Sequence, residues 1–198
     1  MYLQGVDRRE IRDLGISIAV YTAAFSIWGL RSGFYHFIPS YEVVLVSFLV
    51  AIFAFLAHEL AHRYTAIRFG GNATYRMWTL GALIAIFSSA IGFLVAAVGA
   101  VYINGIYDRR RNGIVSLAGP ASNELFGIAF LIAGTLATGN LSYIFLFVAS
   151  LNFYMGFFNL IPFPPLDGYK VLQWSREYYI LSIAVALLLL MYSVYTFF

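Results

Sequence analysis

The sequence predicts a membrane all-α bundle of about five to six transmembrane helices, with a small membrane-associated β or re-entrant segment after the helix that carries His58, Glu59 and His62. Three observations predict it. Hydrophobic residues make up 62% of the chain and charged residues 11%, against roughly even apolar and one-quarter charged shares in soluble domains. Six apolar stretches approach or exceed the roughly 18 to 20 residues that a helix needs to cross about 30 Å of hydrocarbon. Most arginines flank these stretches rather than forming one patch, which is the pattern that membrane topology requires.

The net charge of +3 therefore reports topology: the lipid bilayer is an expected partner and nucleic acid is not. With no cysteine in the chain, disulfides and thiolate ligands are excluded, and any metal must be held by nitrogen and oxygen. A length of 198 residues suits one compact unit, so 1–198 is expected to form a single integral-membrane domain.

Leu14 to Leu30 predicts the first span. The charged run Asp7 to Asp13 precedes it, no convincing cleavage site follows, and the stretch is too long for an ordinary signal sequence, so it is expected to stay as an anchor. Arg8, Arg9 and Arg12 come before it, whereas the linker from Arg31 to Tyr41 holds only Arg31, which places the amino terminus in the cytoplasm. Val43 to Ala57 reaches spanning length only if its helix continues through His58-Glu59-Leu60-Ala61-His62, and it then delivers Arg63, Arg68 and Arg76 to the same side.

Met77 to Ile103 is long enough to span, yet Arg109-Arg110-Arg111 follows, so both of its ends favour the cytoplasm. A segment that enters and returns, or lies as a short sheet, resolves the conflict. Gly81, Gly92, Gly99 and Ser88-Ser89 give it places to bend, and its Ala, Val, Ile and Phe content fits buried strands. A third crossing runs from about Gly113 to Thr138-Gly139-Asn140, and a fourth from about Leu141 to Ile161. Pro162, Pro164 and Pro165 forbid regular helix beyond that point, so the chain around Asp167 is expected to be extended or irregular. Lys170 and Arg176 mark the inner face again, and the last span starts near Tyr178.

Residues four apart on a helix sit nearly above one another, so His58 and His62 present two imidazoles to one point, the spacing that HExxH zinc sites use. Glu59, turned about 100° away, is better placed to act on a water molecule than to ligate the same ion. A merely structural cluster is disfavoured, because ionisable groups in a bilayer cost about 2.5 kcal/mol or more each. A catalytic zinc site commonly has three protein ligands and one open position, so a third ligand is required. Glu124 and Asp167 are the intramembrane candidates, with His36 beside the outer interface as a weaker one. Asp167 is preferred, because a short side chain on a proline-stiffened stretch near the inner end of the fourth span reaches the depth of the two histidines.

The segments His58 to His62, Gly119-Pro120-Ala121-Ser122-Asn123 and Asn159 to Gly168 (NLIPFPPLDG) together resemble the site-2 protease family of intramembrane zinc metalloproteases, over about residues 43–175. The resemblance implies one Zn2+ ion per chain held by His58, His62 and Asp167, with Glu59 as general base and Asn159 steadying the substrate or the developing oxyanion. It also implies a membrane-associated strand region after the HExxH helix and a transmembrane protein as substrate, and it sets no oligomeric state; the arginine distribution, by the positive-inside rule, leads to the expectation that the active site opens to the cytoplasm. Asn123 matches the asparagine of the family's GPxxN element. Glu124 stands where the family usually has an apolar residue, and Tyr169 where a second glycine is frequent.

Hydrolysis within a membrane further requires a polar water channel, expected along Asn123, Glu124 and Asn159, and an unwound substrate, expected to pair as an added strand with 77–103. Two rival readings use the same ligands. A metal transporter or sensor would favour a relay of further ligands, of which the sequence supplies few. A catalytically silent scaffold would have no need of Glu59, which is dispensable for holding zinc.

Overall fold

The computed structural model describes residues 5–32, 40–94 and 97–197; His36 lies outside them. Among the described residues, five helical runs are long and apolar enough to cross a membrane: Arg8–Arg31, Glu42–Arg68, Arg109–Leu136, Asn140–Asn159 and Arg176–Thr196. This is the architecture of an integral membrane protein.

Helix α1 (Arg8–Ser32) starts well before its apolar stretch, because its charged first turns are used internally. Glu10 is 1% exposed. Its Oε1 accepts from Arg63 Nε at 2.8 Å and from the backbone N–H of Tyr75 at 3.0 Å. Two turns further along α1 the Tyr75 hydroxyl donates to Ser17 Oγ at 2.8 Å. Asp7 pairs with Arg76 at 3.0 Å, and hydrogen bonding from that guanidinium holds the Asp7 carboxyl below its usual range.

The second span is α2 (Ser40–Val50), a π-helical stretch (Ala51–Leu56) and α3 (Ala57–Arg68) in one unbroken run. The helix thus continues through the histidines, as spanning length demands. A π stretch winds more widely than an α-helix and so changes which face of the next turn points inward. Here that next turn carries His58. Gly70, at φ 83°, ends α3. The N–H groups of Gly70 and Gly71 reach back to the carbonyls of Ile67 and Ala66, at 3.0 Å each, and turn the chain into β1 (Asn72–Met77).

Strand β1 pairs antiparallel with β2 (Gly99–Asn104), Asn72 facing Asn104 and Met77 facing Gly99. The chain between them therefore enters and returns, in agreement with the arginines at both ends. Its middle differs from the expected strands: Thr79–Ala90 is a helix, α4. The reason is its periodicity. Gly81, Ala82, Ala85, Ser88 and Ser89 are buried at helical spacing, while Leu80, Leu83 and Phe87 are exposed, a pattern of period 3.6 and not 2. Twelve residues rise only about 18 Å, too short to cross.

Helix α5 (Arg109–Leu136) is capped by Asp108, whose side chain accepts from the Arg111 N–H at 2.8 Å. It packs closely on α6 (Asn140–Asn159), with Gly127 against Phe153 and Gly134 against Leu146. The prolines end α6 as expected, but Asp167 does not lie in irregular chain: it opens the helix α7 (Asp167–Trp174). The proline run stops at Pro165, and a carboxylate in a first helical turn complements the exposed N–H groups there. Helix α8 (Arg176–Phe197) packs on α6 and α7, while α1 packs on α2, α4 and β1. The main core gathers Tyr21, Phe25, Val46, Phe55 and Phe147 from α1, the second span and α6.

Replacing Glu10 by alanine removes the carboxylate that Arg63 and the Tyr75 amide share. Removing one partner of a buried ion pair costs about 3 to 5 kcal/mol, so Glu10→Ala is expected to lower the unfolding midpoint clearly in a detergent-based thermal melt. An unchanged midpoint would show that this contact does not hold α1 to the ribbon.

Candidate metal centre

His58 and His62 lie one turn apart on α3, with their Nε2 atoms 3.0 Å from each other. Asp167 Oδ2 sits 3.1 Å from His62 Nε2 and 3.3 Å from His58 Nε2. All three side chains are buried, at 5%, 7% and 9% exposure. One ligand atom from each lies within 4.8 Å of the others. Among the described residues this is the one cluster able to hold a metal; Glu124 is not part of it.

The outer nitrogens explain how the rings are held. His58 Nδ1 is 2.6 Å from Asn123 Oδ1, and His62 Nδ1 is 2.7 Å from the Val115 carbonyl. Asn123 donates through Nδ2 to the Ala54 carbonyl at 2.8 Å and to Asn152 Oδ1 at 3.3 Å, which identifies Oδ1 as the atom facing His58. Both partners are acceptors, so each Nδ1 carries the proton and each Nε2 turns its lone pair toward Asp167.

Val115, Gly119 and Asn123 follow one another at four-residue spacing on α5, and this stripe faces the histidines. A Cβ on Gly119 would collide with Nε2 of both rings, so glycine is required by the close approach of α5 to α3. Pro120 leaves the Ser116 carbonyl without its N–H partner and loosens this turn, next to the Val115 carbonyl that takes His62. The GPxxN element thereby acquires a physical meaning: room at Gly119, a relaxed turn at Pro120 and a hydrogen-bond acceptor at Asn123.

Glu59, half-buried beside the cluster, accepts a hydrogen bond from the Val101 N–H of β2 at 3.0 Å. Asn159, at the end of α6, donates from Nδ2 to the Met155 carbonyl at 2.9 Å and keeps its second amide hydrogen. Both line a cavity of about 1040 Å³ that also includes the three clustered residues. Tyr21 and Trp28 of α1, Val101 of β2, Tyr154 of α6 and Leu190 of α8 contribute to its wall.

Contrary to the expected water channel, Asn123 and Glu124 do not line this cavity. Asn123 is wholly buried behind His58, and Glu124 projects toward Gly156 on α6, its two oxygens buried and accepting no hydrogen bond. Of the three residues expected along a water channel, Asn159 alone reaches the wall. Two contributors escaped the sequence reading. The Val115 carbonyl is backbone and leaves no residue-type signal. Asn152, which supports Asn123 and donates to the Val148 carbonyl at 2.9 Å, was detectable as an amide inside an otherwise apolar span.

The donor set, two neutral imidazole nitrogens and a carboxylate oxygen, fits a divalent ion such as zinc. Three protein donors are fewer than the four of a closed structural site, and all three face the cavity. Fold and site together define an integral membrane protein with a candidate metal centre of the HExxH type. Peptidase family M50 matches residues 132–191. Putative zinc metalloprotease MJ0611 of Methanocaldococcus jannaschii is 33% identical over 174 residues, covering 85% of both chains. Putative zinc metalloprotease YwhC of Bacillus subtilis is 30% identical over 158 residues, 67% of this chain and 71% of that one. Among solved structures, the Site-2 Protease from Methanocaldococcus jannaschii matches with a TM-score of 0.47 at 20% identity, over 88% of this chain and 84% of that one. The chain belongs to peptidase family M50, the site-2 protease family.

Gly119→Ala places a methyl group where both Nε2 atoms converge. The bound metal per chain, read by elemental analysis after dialysis against a competing chelator, is expected to fall. Affinity should drop at least as far as the roughly 10- to 100-fold that changes around metal ligands cost.

Proposed function

We propose that this chain is a zinc-dependent endopeptidase that hydrolyses peptide bonds in or near transmembrane segments of other membrane proteins. The observation that carries this reading is the convergence of His58, His62 and Asp167 beside Glu59 on the wall of one cavity. The names of the two similar metalloproteases support zinc as the ion. Zinc bound by these three residues supplies Lewis acidity toward a water molecule and a peptide carbonyl.

The chain's own groups divide the remaining work. Glu59 takes a proton from the attacking water and passes it to the leaving amine. The Val101 N–H holds that carboxylate in place. Asn159, with one amide hydrogen uncommitted, donates to the oxyanion that forms at the scissile carbonyl. The whole of 1–198 serves as one catalytic domain, with its core at about 43–175.

Two features support a transmembrane substrate. The cavity wall includes residues of both α1 and α8, which pack mainly on other helices, α1 on α2 and α4 and α8 on α6, and not extensively on each other, so a segment in the bilayer can approach between them. The β1–β2 ribbon also has unequal edges. On β1, α1 takes the outward Tyr75 N–H. On β2, the outward N–H of Val101 goes to Glu59, and Gly99 and Ile103, which share its direction, line the cavity. An unwound substrate can pair with this edge as an added strand. By the positive-inside rule, Arg8, Arg9, Arg12, Arg63, Arg68, Arg76 and Arg109 to Arg111 put this end of the protein in the cytoplasm. The transport reading lacks a comparable observation, since no further metal-type cluster stands along the bundle among the described residues.

Glu59→Gln is expected to keep its metal and to lower kcat by roughly 100- to 10,000-fold, measured on single-span reporter proteins in proteoliposomes. Chelation of the wild-type protein should abolish cleavage, and added zinc should restore it; cleavage that survives the glutamine change would remove Glu59 from its role. Ile103→Pro deletes an outward N–H of β2 and leaves the β1 ladder its partners. It should lower kcat/KM about tenfold with metal retained, the loss expected for one backbone hydrogen bond, whereas an unchanged value would rule out strand addition at that edge.

A further inference from the structure

Beyond the three clustered residues and Glu59, the cavity wall carries one other charged side chain among the described residues, Lys170. It lies on α7, one turn after Asp167, and is half-buried. The other ionisable groups of the wall are engaged within the protein. Asp167 lies between the two imidazoles, Glu59 accepts from Val101, and each imidazole is anchored from α5. The arginines that approach the centre from the ribbon side are paired as well, Arg63 with Glu10 and Arg76 with Asp7. Lys170 takes part in none of the ion pairs formed among the described residues. Its ammonium is not buried away from solvent and stands on the cavity wall, where it is free to meet an opposite charge that enters with a substrate.

Resting on the peptidase reading above, we propose that Lys170 is a specificity-determining residue that selects substrates carrying an acidic side chain close to the scissile bond. The spacing is set by elementary geometry. Residues three apart on a helix have Cβ atoms about 5–6 Å apart, so Lys170 leaves α7 about that far from the ligand Asp167. An extended substrate advances about 3.3 Å per residue, and alternate side chains point the same way. The acidic residue therefore stands about two positions from the bond that is cut. Arginine at position 170 would satisfy the same requirement, while a neutral residue would not.

The test uses the full-length zinc-loaded protein in proteoliposomes and single-span reporters that differ only two positions from the cleavage site, on either side, where they carry Glu, Gln or Lys. The wild-type protein should cleave one Glu reporter with a kcat/KM roughly two- to fivefold above its Gln counterpart, the range for a partly exposed charge pair, and the Lys reporter least well. Lys170→Arg should keep that ratio, Lys170→Met should bring it close to one, and Lys170→Glu should reverse it in favour of the Lys reporter. Metal bound per chain is measured alongside to show that each variant retains its site. The wild-type preference is read without any substitution, so the proposal stays refutable even where a variant loses its metal. Cleavage of all reporters at equal efficiency would overturn this proposal alone, and so would a Glu preference that persists in Lys170→Met. A fall in kcat of equal size on every reporter would place Lys170 at the reacting atoms and overturn the specificity role. Failure of the zinc-loaded wild type to cleave any reporter would overturn the peptidase reading and this one with it.

Discussion

The close passage of α5 across α3 at Gly119 is the constraint on which the centre depends. Two imidazoles one turn apart do not by themselves form a binding site, since each ring can rotate and either nitrogen can carry the proton. Helix α5 removes both freedoms by offering an acceptor to each Nδ1, the Val115 carbonyl on one side of Gly119 and the Asn123 amide oxygen on the other. The missing side chain at Gly119 then leaves the Nε2 atoms their space. A carboxylate from a third element, the first turn of α7, closes the set. Three helices distant in sequence meet at one point because one residue between them has no Cβ.

The β ribbon solves a second problem, the presence of nonhelical backbone beside a membrane-embedded site. Exposed amides are tolerated at that depth only where protein or a wet cavity satisfies them. Side chains of α1 satisfy the β1 edge, and Glu59 together with the cavity serves the β2 edge. The charged start of α1 is thus part of the structural support of the site and more than a topological signal. Glu10 touches both the ribbon and Arg63, which follows the second metal-type histidine directly, so the amino-terminal helix is coupled to the centre through a single buried carboxylate.

Ionisable groups within the bundle have unequal roles. Those of the metal centre are anchored by neighbours and face the cavity. Glu124, one residue beyond the asparagine that holds His58, faces α6 instead, and its oxygens find no donor. A carboxylate in a span therefore marks neither a ligand nor a channel by its presence alone; its direction around the helix decides.

Much of this protein was legible in its sequence. The arginine distribution favoured a returning 77–103, because a single crossing would strand three positive charges, and the antiparallel pairing of β1 with β2 brings the two ends of that segment together. The four-residue spacing of His58 and His62, the absence of cysteine and the proline-stiffened approach to Asp167 pointed to the three residues that cluster in the bundle. Tertiary structure alone decided how the pieces meet. Local patterning does not specify which side of α5 faces α3, so the stripe of Val115, Gly119 and Asn123, and the outward turn of Glu124, became visible only in the packed bundle. Backbone groups carry no residue-type signal, which hid the Val115 carbonyl and the Val101 N–H. The helical core of the returning segment and the placement of Asp167 in a first helical turn were likewise settled by packing and by the helix's own need for a charge at its start.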